Sequence, residues 1–262
     1  LTGHTERIRP CIACNQGCIT RLQQGKQPTC AVNPTAMREI RFAMRPAMQP
    51  KKVIVVGGGV AGMETARVAA MRGHKVSLYE KNDKLGGNLI PGGSHSFKKE
   101  VRELNAWYQN ELGLLPVEIH TGETVTAEQL KGMDADVIVL ATGSVPVMPK
   151  VPGIDDAKVI GCMDAFAHPE KVGQKVVVIG GGLVGCEMAL EYAQDGKDVT
   201  VVEALPKILS AGIPNPIPNG QMIPDLFEYH HVNILEGHKL AAVENGKAVL
   251  ECGGQKKEQD AD

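Results

Sequence analysis

The chain contains the same stretch of sequence twice. At an offset of 123 residues, positions 52–80 align on positions 175–203, and 13 of those 29 positions are identical. A unit copied within one chain must bury the same apolar surface twice, which narrows the possible folds more than any composition figure does. Each copy opens with a short β-branched run, residues 53–56 (VIVV) or 176–179 (VVVI). Such runs are too short for a buried helix and suit a central strand of a parallel sheet. Helical patterns follow over residues 64–71 and 187–194, closed by Gly73 and Gly196 in the place of a C-terminal cap.

Between strand and helix stand three glycines in the pattern GxGxxG: Gly57, Gly59 and Gly62 in the first copy, Gly180, Gly182 and Gly185 in the second. The first permits a tight turn, the second lets backbone approach a pyrophosphate, and the third lets helix and strand pack closely. Unpaired N–H groups and the dipole at the helix N-terminus favour the phosphate charge. A second strand then ends in an acid, Glu80 or Glu203, each 23 residues after its first glycine. That is close to the distance at which a carboxylate meets an adenosine ribose. A packing turn alone accounts for the glycines but not for the two acids. The chain is therefore expected to be α/β, with two Rossmann-like dinucleotide-binding units.

The order of further segments resembles the two-dinucleotide flavoprotein reductases, in which an FAD domain carries an inserted nicotinamide domain. These segments are Glu80-Lys81, then Leu85-Gly86-Gly87-Asn88, then residues 137–140 running into Ala141-Thr142-Gly143. The resemblance begins at about Lys51. It implies that FAD is held by Gly57, Gly59, Gly62, Glu80, Gly86, Gly87, Asn88, Thr142 and Gly143. Gly180, Gly182, Gly185 and Glu203 would hold NADH or NADPH. A carboxylate at Glu203 accepts from a ribose hydroxyl and repels a 2′-phosphate, so NADH is favoured. Lys207 leaves NADPH open, because it could reach such a phosphate.

Seven cysteines occur; Cys11, Cys14, Cys18 and Cys30 crowd together, while Cys162, Cys186 and Cys252 stand alone. The clustering points to a metal site in a reducing compartment, and a cytoplasmic location is expected. Spacing alone leaves zinc and an iron–sulfur cluster near parity, with a redox thiol pair as a third reading. Flavin and nicotinamide favour the cluster, since zinc has no redox chemistry. Residues 8–18 (IRPCIACNQGC) with residues 30–34 (CAVNP) also resemble the cluster loop of the 2,4-dienoyl-CoA reductase and 2-enoate reductase family. This resemblance implies a 4Fe-4S cluster on Cys11, Cys14, Cys18 and Cys30, and an FMN-binding TIM barrel as a partner domain of the parent chain. Electrons would run from NAD(P)H to FAD, on to the cluster and then to FMN, to reduce an activated C=C bond.

The expected divisions are a cluster segment and linker at 1–50, an FAD domain at 51–152 and a truncated NAD(P) domain at 153–262. Leu1 in place of Met suggests a fragment. The tail Asp260-Ala261-Asp262 repeats Asp134-Ala135-Asp136, which precedes the strand leading to Ala141, so a matching strand is expected beyond it. A net charge of −2 provides no basic field for nucleic acid. No apolar run approaches the roughly 20 residues of a membrane helix, and no secretory signal is evident. Oligomeric state is left open. No acid–base catalyst is assigned, because hydride chemistry belongs to the cofactors.

His230-His231 are expected on a helix after a Pro-rich loop at 213–218, Cys162 and Cys186 as packing residues, and Trp107 as a packing anchor on a helix near 97–111. Two rival functions remain: an electron-input subunit resembling the small subunit of glutamate synthase, and a non-catalytic scaffold that binds dinucleotide or zinc.

Overall fold

The structure is a computed structural model that describes residues 3–212 and 215–262. Residues 3–50 are largely irregular and include a single 3-10 turn at Thr5–Arg7 and one short α-helix, α1 (Ile19–Gln23). The chain divides into two compact units, residues 1–17 with 27–145 and residues 18–26 with 146–262. Much of the cysteine-bearing segment therefore packs with the first glycine unit.

The first unit runs β1 (Lys52–Val56), α2 (Val60–Met71), β2 (Lys75–Glu80), α3 (Leu89–Gly92), α4 (Lys99–Gly113), β3 (Val117–Thr121), α5 (Ala127–Gly132) and β4 (Val137–Leu140). All pairings are parallel, in the order β3-β2-β1-β4. β1 is central, and its Val53, Ile54 and Val55 are buried. α2 starts directly at the second glycine, four residues earlier than the polar pattern suggests, because Gly59 supplies an extended N-cap. Its buried face is built from small residues, Gly62, Ala66 and Ala70, with Met63, so the helix lies close on the sheet. It stops where Gly73 takes φ +88°, a left-handed conformation open to glycine at little cost. α4 buries Leu104, Trp107, Tyr108, Glu111 and Leu112, a stripe of three- and four-residue spacings. Phe97 falls outside it.

The second unit runs α6 (Cys162–Ala167), β5 (Lys175–Ile179), α7 (Leu183–Gln194), β6 (Asp198–Glu203), α8 (Ile217–Tyr229) and β7 (Asn233–Glu236), with β5-β6-β7 parallel. α7 copies α2, with Gly182 as N-cap and Gly196 at φ +79°. A three-stranded antiparallel meander follows: β8 (Lys239–Glu244), β9 (Lys247–Cys252) and β10 (Gln255–Asp260). Its two turns, Asn245-Gly246 and Gly253-Gly254, have positive φ at every central residue, the geometry that matches hairpin twist. Both dipeptides are hairpin signals that went unremarked in the sequence.

The repeat extends to fine detail. The Lys52 N–H donates to Asp136 Oδ2 at 2.8 Å and the Asp136 N–H to the Lys52 carbonyl at 2.9 Å. Lys175 and Asp262 make the same pair of bonds, at 2.8 and 3.1 Å. His230 and His231 correct the sequence expectation. α8 ends at Tyr229, His230 is its C-cap, and His231 turns left-handed at φ +58°. Part of the loop expected to precede that helix, residues 213 and 214, lies outside the described residues. Among the described residues, no helix is long and apolar enough to cross a membrane.

Candidate functional site

The glycine turns are built alike. A Cβ on Gly62 would lie 1.8 Å from the Gly57 carbonyl oxygen, and one on Gly185 2.0 Å from that of Gly180. Only hydrogen fits where the helix leans on its own strand. Gly57 takes φ +111° and Gly180 +106°. The second glycines differ in kind: a Cβ on Gly182 would meet nothing within 4 Å, and one on Gly59 only the Gly87 Cα at 3.9 Å. Both cap their helix without a side chain. The first-turn N–H groups of α2 and α7 have no side-chain cap and no intrahelical acceptor, a cradle that fits a pyrophosphate.

The acids close each turn from behind. Glu80 is buried, and its Oε2 accepts from the Gly58 N–H at 2.6 Å. Its Oε1 accepts from the Asn82 backbone and side-chain amides at 2.8 and 2.7 Å. Glu203, also buried, accepts from the Gly181 N–H at 2.8 Å through Oε2 and from the Leu205 N–H at 2.7 Å through Oε1. A carboxylate offers about four lone-pair sites, so each retains capacity for a sugar hydroxyl. Gly58 and Gly181 occupy a variable position of the motif and went unremarked in the sequence. A Cβ on Gly58 would reach within 2.9 Å of the Glu80 Cβ, so the clamp requires glycine there too. The signal was present, since both copies read Gly-Gly-Gly.

Further segments converge on the first turn. The Gly86 N–H donates to the Gly58 carbonyl at 2.8 Å, and Gly86 bridges to Gly59. Gly86 and Gly87 have φ +135° and +49°. A Cβ on Gly57 would lie 2.2 Å from the Ala141 carbonyl oxygen and 3.2 Å from the Thr142 nitrogen, so the Ala141-Thr142-Gly143 segment rests on the turn. Asn88 is exposed and leads into α3.

The four clustered cysteines are all free thiols, Cys11 and Cys18 exposed, Cys14 and Cys30 half-buried. Cys18 is the N-cap of α1. The Ala13 N–H donates to Cys11 Sγ at 3.3 Å, and Ala13 and Asn15 are left-handed, so the backbone wraps the first sulfur. Four thiols are suitable donors for thiolate ligation, and one backbone N–H is aimed at the Cys11 sulfur; among the described residues no group of three or more His, Cys, Asp or Glu is gathered as a metal set. Cys186 is fully buried, and burial with the nearby Glu203 charge pushes its thiol up to about 12. It is a packing residue rather than a nucleophile.

A fold of Rossmann-like units with two dinucleotide cradles defines a class, and the family model for pyridine nucleotide-disulphide oxidoreductases matches residues 51–262. The chain belongs to that family of NAD(P)H-dependent flavin oxidoreductases. Cinnamate reductase from Clostridium sporogenes is 44% identical over 257 residues, which cover 98% of this chain and 38% of that protein. Bilirubin reductase from Mediterraneibacter gnavus is 36% identical over 259 residues, covering 95% and 40%. The solved structure of a 2-naphthoyl-CoA reductase complex superposes with a TM-score of 0.89 at 33% identity, over 98% of this chain and 39% of that one. The chain thus spans about two fifths of the length of these relatives. The cinnamate reductase and the 2-naphthoyl-CoA reductase are of the enoate-reductase type, the group the cysteine loop resembles.

Proposed function

We propose that this chain is the electron-entry portion of a flavin-dependent ene reductase. FAD occupies the first glycine unit, NADH the second, and Cys11, Cys14, Cys18 and Cys30 hold a 4Fe-4S cluster that leads to an FMN domain of the parent protein. When bound, these groups supply hydride transfer from nicotinamide to flavin and one-electron transfer onward. The observation that carries the reading is the duplicated cradle with its clamped acid, since one chain that binds two dinucleotides is suited to exchange between them.

The chain's own work is positioning. The first turns of α2 and α7 present N–H groups to the two pyrophosphates, and Glu80 and Glu203 offer their remaining lone pairs to the adenosine riboses. Gly86, Gly87, Asn88, Thr142 and Gly143 border the first cradle. Glu203 favours NADH, because a buried carboxylate repels a 2′-phosphate. The enoate-type reductase relatives support a C=C substrate for the whole protein, and their greater length supports the additional domain.

Anaerobic purification with a visible spectrum, metal analysis and NADH titration tests this. Bound flavin bleached by NADH, with about four irons per chain, is the expected result. A colourless protein that contains zinc would refute it.

A further inference from the structure

We propose that Arg9 is a positioning residue that clasps the two ends of the cysteine loop and fastens them to the helix of the flavin cradle. The inference rests on the reading that Cys11, Cys14, Cys18 and Cys30 ligate a cluster. Arg9 lies two residues before Cys11, and its Nη1 donates to the carbonyl of Val32, two residues after Cys30. One guanidinium therefore joins the chain entering the loop to the chain leaving it. Its Nη2 donates to both carboxylate oxygens of Glu64 at 3.3 and 3.2 Å. Glu64 is held in turn by Arg67, through Nε at 2.9 Å and Nη2 at 3.1 Å. Glu64 stands on α2 only five residues after Gly59, so the clasp ends beside the pyrophosphate cradle.

These side chains are 11–21% exposed, and the Arg9 guanidinium lies 4.3 Å from the centre of the Trp107 ring. Two guanidiniums on one carboxylate leave a surplus positive charge in a largely desolvated place, which is costly without a counter-charge. Thiolates on the loop that Arg9 closes would supply it. Arginine suits the place because its planar fork holds separate acceptors in fixed directions and stacks on an aromatic face, whereas an ammonium is a compact point charge on a flexible stem.

The test compares Arg9→Lys and Arg9→Met with the wild-type chain and with Lys99→Gln, an exposed change on α4. Readouts are flavin and iron per chain, the rate of iron loss to a chelator, and the paramagnetic resonance spectrum of the reduced cluster. Both Arg9 variants should keep flavin yet lose iron on the order of tenfold faster. Their cluster spectrum should shift, and Lys99→Gln should match wild type. If Arg9→Met does not fold, Arg9→Lys decides. Wild-type iron retention and an unshifted spectrum in Arg9→Lys overturn the clasp and leave the ligand reading standing. A wild-type chain that binds flavin without iron overturns the ligand reading, and the clasp with it.

Discussion

Gly62→Ala adds one methyl group to the third glycine of the first turn. By helix propensity alone it should stabilise α2 by about 1 kcal/mol. The tertiary contact opposes this, because the new Cβ would sit 1.8 Å from the Gly57 carbonyl oxygen and 3.4 Å from Val55 Cγ1. The obstructing atom is backbone of a turn at φ +111°, which cannot swing aside as a side-chain tip could. Restoring ordinary contact needs α2 to retreat by roughly 1.5 Å. That retreat loosens Met63, Ala66 and Ala70 against the sheet, and overpacking of this kind costs about 1–3 kcal/mol. The clash therefore outweighs the propensity gain. The retreat also moves the N–H groups that receive the pyrophosphate. Denaturant unfolding with flavin quantification should show a lowered midpoint and lost flavin. Gly185→Ala should repeat the effect in the second unit, weakening NADH binding while flavin stays. Gly73→Ala is the contrast: it meets no atom within 4 Å and loses only about 1 kcal/mol, through its φ of +88°. A Gly62→Ala protein as stable as wild type, with full flavin, would refute the reasoning.

Other predictions concern single side chains. Glu203→Gln sets an amide NH2 against the Gly181 or Leu205 N–H, which should cost about 1–3 kcal/mol and narrow the preference for NADH over NADPH; the urea midpoint and the ratio of the two Kd values report it. The Cys186 thiol is raised from 9.0 to about 12, so the folded state holds that proton more tightly. Its contribution to stability is complete below pH 9 and is lost as pH rises toward 12. A urea series taken into alkali should show the decline, reduced in Cys186→Ala. Trp107 is the only tryptophan, and its Nε1 donates to the Arg7 carbonyl at 3.0 Å. Trp107→Phe should free the N-terminal segment for proteolysis near Arg7 before the rest of the unit is cut.

The sequence by itself determined the units: a β-branched run, a glycine turn, a helix and a strand ending in an acid. These are local matters of periodicity, chain stiffness and permitted φ, and they hold within about 30 residues. It also showed the doubling, the separate character of the first copy through Gly86-Gly87 and Ala141-Thr142-Gly143, and the crowding of four cysteines. It did not show what the acids do within the protein. The bonds from Gly58 to Glu80 and from Gly181 to Glu203 arise only when adjacent parallel strands bring positions 22 residues apart into contact. The packing of Gly57 on Ala141 spans 84 residues and depends on β4 lying beside β1. The clasp of Arg9 on Val32 and Glu64 likewise had no local signature: Arg9 stands in the segment that resembles the family's loop, but nothing there points to Val32 or Glu64 as its acceptors. Local patterns carry information about backbone conformation. Which donor meets which acceptor is decided by the close packing of distant segments, and only the tertiary structure holds that.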